Sequence, residues 1–148
     1  MAAACGRALR YFDAGNNCAE SVMRAFLDRE DVPFSAETAM LATGFGGGMG
    51  ATHHTCGAVT GCVMALGALY GRPDPAAFSN REEGHEAMRR EIYPIFAGFV
   101  CEAERELGTL ECSELTASLE GPARRARCRE YVGICAALCE KHAEQNKK

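Results

Sequence analysis

The sequence has no charged side chain from residue 38 to residue 71, although Asp, Glu, Lys and Arg make up 24% of the whole chain. A span this apolar is a candidate membrane helix, which needs about 20 consecutive apolar residues. Three glycines at residues 46–48 and two histidines at residues 53–54 divide it into pieces that are too short. We therefore expect no membrane span and, instead, a buried central helix from about residue 54 to residue 70.

The N-terminus, Met-Ala-Ala-Ala-Cys-Gly-Arg, also lacks the basic region, apolar stretch and cleavage site of a secretory signal. The sequence therefore predicts a cytoplasmic, reducing location. The formal net charge is −4, and acidic residues separate the basic ones as far as Arg124. Because nucleic-acid binding requires a clustered positive surface, we expect no nucleic-acid partner.

Nine cysteines occur in 148 residues, but none of them form a C-x-x-C pair. This excludes the local dithiol of a thioredoxin-like enzyme and the local ligand pair of a zinc knuckle. In a reducing compartment such a cysteine content favours metal binding or catalysis over structural disulfides. Any dithiol or metal site must therefore combine cysteines from separate segments.

The predicted fold class is all-α. Residues such as Ala, Leu, Met, Glu and Arg recur at helical spacing along the chain, whereas β-branched residues do not alternate as they do in strands. We expect a single cysteine-rich domain over residues 1–148, built as a bundle of about five to six helices with a glycine-rich loop before the central helix. The predicted helical segments are residues 2–13, a helix capped by Asn17, and residues 36–43, 54–70, 80–107 with a bend near Pro94, 113–119 and 121–143.

Cys18, Cys56 and Cys112 each lie at or beside a predicted helix start. Asn17 and Glu20 have the spacing of a capping box, which places Cys18 in the first turn. The partial positive charge of a helix N-terminus stabilises a thiolate, the reactive form of cysteine. On this basis we expect Cys56 to be the most reactive thiol, with Cys18 or Cys112 as its resolving partner.

Three cysteines, Cys128, Cys135 and Cys139, share one face of the last predicted helix. Their spacing makes the three side chains point within about 20° of one direction. For Cys135 and Cys139 we favour a role in core packing, where small free cysteines are common. Cys56 and Cys62 point apart on the central helix by the same geometry and are not expected to form a local dithiol.

Gly46, Gly47 and Gly48 are candidate cofactor-binding residues, since residues 46–51 match G-x-G-x-x-A. The dinucleotide fingerprint, however, requires a preceding strand and an acidic residue about twenty positions later, where this chain has Tyr70. We favour a loop that turns sharply and brings backbone close to the sulfur of Cys56.

Small residues also flatten one side of the central helix. A neighbouring helix, such as the one that begins at Cys18, can approach such a surface closely. Contact with a second copy in a homodimer and burial within one subunit explain this surface equally well. The residues concerned are Gly57, Gly61, Gly67 and Gly71.

Five sequence blocks together resemble the C_GCAxxG_C_C family, over about residues 11–142. The blocks are F-x-x-G-x-x-C-A-E at 12–20, G-F-G-G-G-M-G at 44–50, T-C-G-A-V-T-G at 55–61, C-S-E-L at 112–115 and C-x-x-Y-V at 128–132. The resemblance implies a redox-active protein whose site residues are Cys18, Cys56, Cys112 and Cys128. Cys135 is the alternative fourth cysteine, and we choose Cys128 because the residues after it match better.

Three functions fit these observations. The leading hypothesis is a redox-active protein in which the four cysteines exchange thiols and disulfides or transfer electrons, as a thiol-based oxidoreductase with an unknown redox partner. In the second, the same four thiolates bind zinc or an iron–sulfur cluster, with His53 and His54 as further candidate ligands. The third is a non-catalytic helical assembly module. Spacing alone does not choose among them, because the sulfurs are not close in sequence.

Overall fold

The computed structural model describes residues 3–148. In this part of the chain there are seven α-helices and no β-strand, so the all-α prediction is confirmed. The α-helices are α1 (Ala3–Asp13), α2 (Cys18–Leu27), α3 (Gly57–Tyr70), α4 (Arg81–Ala87), α5 (Tyr93–Leu107), α6 (Cys112–Leu115) and α7 (Gly121–Gln145). A 3-10 helix (Ala36–Phe45) and a π-helical segment (Met88–Ile92) complete the set.

The capping box predicted at the start of α2 is present. The Asn17 side chain accepts a hydrogen bond of 2.8 Å from the backbone N–H of Glu20, and the Glu20 carboxylate accepts one of 2.9 Å from the N–H of Asn17. These reciprocal bonds satisfy two of the free amides of the first turn. They fix Cys18 as the first residue of α2.

The helix predicted over residues 80–107 is divided into α4, the π-helical segment and α5. Pro94 has no N–H to donate to the carbonyl four residues before it, so the regular α-helical pattern cannot pass through it unchanged. The N–H of Tyr93 bonds instead to the carbonyl of Met88, five residues earlier. The hydrogen-bond pattern thus changes to a π-type turn beside Pro94, where the sequence predicted a bend.

Helix α3 lies at the centre of the molecule and packs against α2, α5, α7 and the 3-10 helix. The largest fully buried side chains, which include Phe26, Leu66 and Phe99, come from α2, α3, α5 and α7. Within residues 3–148, every helix is too short or too polar to cross a membrane.

Helices α2 and α3 touch through the glycines of α3. A Cβ atom at Gly61 would overlap the Val22 side chain and lie 2.7 Å from the Ala19 carbonyl oxygen, and one at Gly57 would lie 3.4 Å from the Cβ of Cys18. A Cβ at Gly67, by contrast, would meet nothing within 4 Å. The predicted close approach of the Cys18 helix is therefore present at Gly57 and Gly61 and absent at Gly67.

Substitution of Gly61 tests this contact against Gly67, a matched position in the same helix. We expect Gly61→Ala to lower the free energy of unfolding by about 1–3 kcal/mol, because the added methyl overpacks the contact with α2. Gly67→Ala should raise it by up to about 1 kcal/mol, the helix-propensity difference between the two residues. Urea denaturation measures both, and equal stability of the two variants would contradict the described packing.

Candidate thiol site

Four segments of the chain bring Cys18, Cys56, Cys112 and Cys128 to the wall of one small cavity. Cys18 begins α2, Cys56 is the N-cap of α3, Cys112 begins α6, and Cys128 lies in α7. The cavity of about 20 Å³ has room for about one water molecule. The rest of its wall comes from Gly47, Gly48, Gly57, Leu115, Thr116, Arg124 and Tyr131.

Backbone hydrogen bonds hold Cys56 and Cys112 beside each other. The N–H of Cys56 donates to the carbonyl of Leu110 at 2.8 Å, and the N–H of Cys112 donates to the carbonyl of His54 at 2.7 Å. An isolated antiparallel bridge joins Thr55 to Glu111 between these two bonds. The segments that precede α3 and α6 are thereby paired, although they are distant in sequence.

The glycine loop forms one side of the cavity in left-handed backbone geometry. The φ angles of Gly47 and Gly48 are 63° and 69°. A Cβ at Gly48 would lie 2.8 Å from the Cβ of Cys112, so the loop packs against Cys112. Gly47 and Gly48 also line the cavity together with Cys56. Gly46 packs on the Asn17 side chain and does not line the cavity.

Cys18 and Cys128 are neighbouring thiols that line the cavity together and change each other's pKa. The interaction with the Cys18 thiol is the main factor that lowers the pKa of Cys128 to about 6, and the positive charges of Arg124 and Arg125 act in the same direction against the effect of burial. The same interaction and burial raise the pKa of Cys18 far above its ordinary value. At neutral pH the pair therefore consists of a Cys128 thiolate and a Cys18 thiol.

The structure contradicts the expectation that Cys56 is the most reactive thiol. Burial raises the pKa of Cys56 to about 11, while hydrogen bonds from the backbone of Ala58 and Val59 lower it by less. Those amides belong to the N-terminus of α3, so the predicted lowering of the Cys56 pKa by a helix N-terminus is present. It is outweighed because the sulfur is removed from water.

Arg124 lies between His53 and Cys112. The Nη2 atom of Arg124 is 3.1 Å from His53 Nδ1 and 3.8 Å from Cys112 Sγ. His53 Nδ1 is in turn 3.7 Å from Cys112 Sγ. Arginine carries only hydrogen-bond donors, so Nδ1 of His53 must act as the acceptor. The lone pair of this nitrogen is thus engaged by Arg124, which also donates to the sulfur of Cys112.

Sequence reasoning did not identify Arg124 as a site residue. The available signal was its position four residues before Cys128, which places both side chains on one side of a helix. Of the two histidines considered as ligands, His53 contacts the site through Arg124 and Cys112, whereas His54 is exposed and only its backbone takes part.

The other cysteines lie elsewhere. Cys62, Cys135 and Cys139 are fully buried, with the Cys62 thiol donating to the Cys135 carbonyl at 3.4 Å and the Cys139 thiol donating to the Cys62 carbonyl at 3.6 Å. Cys135, the alternative fourth cysteine, does not line the cavity, whereas Cys128 does. Cys5 is half-buried and Cys101 is exposed.

The cysteines of the cavity, in the side-chain positions described, fit a metal ion poorly. In residues 3–148, no three side chains of the types His, Cys, Asp or Glu are grouped so that they could hold one ion. The four cysteines line a common cavity.

Alkylation kinetics test the electrostatic part of this description. At pH 7 we expect iodoacetamide to modify Cys128 faster than Cys56, because only Cys128 is ionised. Arg124→Gln should move the midpoint of the pH–rate profile of Cys128 upward by about one pH unit, since a nearby positive charge is lost. Peptide mass spectrometry assigns each rate.

Arg127→Gln provides the control for that experiment. Arg127 belongs to the same helix, lies outside the cavity wall and is 3.7 Å from the Glu130 carboxylate. Its replacement should leave the profile of Cys128 unchanged. If both variants shifted the midpoint of the pH–rate profile equally, the charge of Arg124 would have no specific effect on the Cys128 thiolate.

Comparison with known proteins agrees with the cysteine pattern. A family model described as "Putative redox-active protein (C_GCAxxG_C_C)" matches residues 16–142, which include all four cavity cysteines. No curated protein and no solved structure shows significant similarity to the chain. Since the family match covers most of its length, the chain belongs to the C_GCAxxG_C_C family of cysteine-rich, redox-active proteins.

Proposed function

We propose that this protein is a thiol-based oxidoreductase in which Cys18 and Cys128 alternate between a dithiol and a disulfide. The observation that carries the proposal is that Cys18 and Cys128 line one cavity with two further cysteines, where the interaction between them lowers the pKa of Cys128. A thiolate beside a second thiol is the arrangement that disulfide exchange requires.

In the proposed reaction the Cys128 thiolate attacks one sulfur of a partner disulfide. The S–S bond of the partner breaks, one partner sulfur leaves as a thiolate, and the other stays bound to Cys128 as a mixed disulfide. A thiolate whose pKa lies near ambient pH is well suited to this attack, because it is largely ionised and still nucleophilic.

Cys18 then acts as the resolving thiol. Once Cys128 is in a mixed disulfide, it no longer carries the negative charge that holds the proton on Cys18. The N-terminus of α2, where Cys18 is the first residue, stabilises the Cys18 thiolate as it forms. Attack of this thiolate on the sulfur of Cys128 releases the second partner thiolate and leaves the Cys18–Cys128 disulfide.

The two cysteines on the inner side of the cavity have different roles in this scheme. Cys56 is protonated at neutral pH because its pKa is raised by burial, so we assign it no attacking role. Cys112 lies beside Arg124 and His53 and is the inner thiol with polar partners. Arg124 acts on both Cys112 and Cys128 and is assigned as a positioning residue between them.

Disulfide mapping tests the proposal. When the reduced protein is equilibrated in glutathione buffers of increasing oxidised fraction, we expect the first disulfide to join Cys18 and Cys128. Cys18→Ser should stop the reaction at a mixed disulfide on Cys128, and Cys128→Ser should abolish both products. Cys101→Ser, which alters an exposed cysteine away from the cavity, should behave like the parent protein.

Metal content after anaerobic purification separates this function from the metal-binding alternative. Metal-free protein that forms the expected disulfide supports the proposal. Stoichiometric zinc or iron that is lost on replacing any two of the four cavity cysteines would contradict it.

A further inference from the structure

Cys18 and Cys128 also line an open groove on the outer side of the cavity. The groove has a volume of about 390 Å³, and its wall includes Phe12, Asn16, Arg124 and Arg125 besides the two cysteines. This volume lies within the range of small-molecule sites, about 300–1,000 Å³. The inner cavity of about 20 Å³ is too small for a substrate, so a partner disulfide has to approach the sulfur pair from the groove.

The groove carries two guanidinium groups without carboxylate partners. None of the ion pairs found in residues 3–148 involves Arg124 or Arg125. Arg125 donates to the carbonyl of Phe12 at 3.0 Å and stacks 4.7 Å above the Phe12 ring, which fixes its position. Because a guanidinium has five N–H donors, both arginines keep donors free for a ligand.

The groove has one acidic residue, Glu20, against two arginines, so its net charge remains positive. Both carboxylate oxygens of Glu20 are engaged, one by the N–H of Asn17 at 2.9 Å and the other by the hydroxyl of Thr43 at 2.8 Å. The groove therefore combines a nucleophilic sulfur, a resolving thiol and two positive groups that suit a carboxylate.

We propose that the groove binds a small disulfide whose sulfur-bearing groups carry carboxylates, and that Arg124 and Arg125 bind those carboxylates. This inference rests on the proposed function of the Cys18–Cys128 pair and names the substrate class for it. The small disulfide is the oxidant. It accepts two electrons and leaves as two thiolates, while the protein loses the Cys18 thiol proton and gains the Cys18–Cys128 bond.

Three disulfide probes of different charge test the proposal. The anionic probe is 5,5′-dithiobis(2-nitrobenzoate), the uncharged probe is 2,2′-dithiodipyridine and the cationic probe is cystamine. The quantity to compare is the ratio of second-order rate constants, anionic over uncharged, at low ionic strength. Any effect of a substitution on ionisation of Cys128 cancels in this ratio, because both probes react with the same thiolate.

We expect the double variant Arg124→Gln and Arg125→Gln to lower the ratio by about tenfold, and each single variant to lower it less. Added salt should lower the ratio of the parent protein toward that of the double variant. The cationic-to-uncharged ratio should rise in the double variant. Arg127→Gln, on the same helix but outside the groove, should leave every ratio unchanged.

An anionic-to-uncharged ratio that is the same in the parent and the double variant would overturn the proposal. A ratio that changes only with disulfide peptides rich in Asp and Glu would overturn it in favour of an acidic polypeptide partner. If the uncharged probe fails to produce a Cys18–Cys128 disulfide, the proposed function itself fails. The two failures are therefore distinguishable.

Discussion

The close packing of α2 on α3 is the constraint on which the thiol site depends. Gly57 and Gly61 let the two helices approach to backbone contact, and their N-terminal ends then lie next to each other. Cys18 and Cys56 occupy those ends, so both sulfurs reach the same cavity. Helix α7 packs against α2 and α3 and adds Cys128. A larger side chain at Gly61 would separate the helices and open the site.

The balance between burial and local charge determines which sulfur is ionised. The N-terminus of a helix contributes about half a positive charge, and at Cys56 this is weaker than the cost of removing a thiolate from water. Cys128 is less enclosed, and the neighbouring Cys18 thiol and the positive charge of Arg124 favour its thiolate. The reactive thiol therefore lies within a helix, opposite another helix's N-terminus.

Local patterns in the sequence were sufficient to predict the fold class and the start of α2, because the Asn17–Glu20 capping box acts over three residues. The glycines of α3 correctly indicated its contact with α2. The preference for Cys128 over Cys56 was not predictable, since it arises from a contact between residues 110 positions apart. The π-type turn before Pro94 likewise depends on how the chain accommodates a missing N–H donor.

We expect the ionisation of Cys128 at neutral pH to depend on the thiol of Cys18. The thiolate absorbance near 240 nm, measured as a function of pH in the reduced parent protein and in Cys18→Ala, tests this dependence. One thiolate should form with a midpoint near pH 6 in the parent protein, and the midpoint should be clearly higher in the variant. An unchanged midpoint in Cys18→Ala, or no thiolate formed below pH 8 in the parent protein, would contradict it.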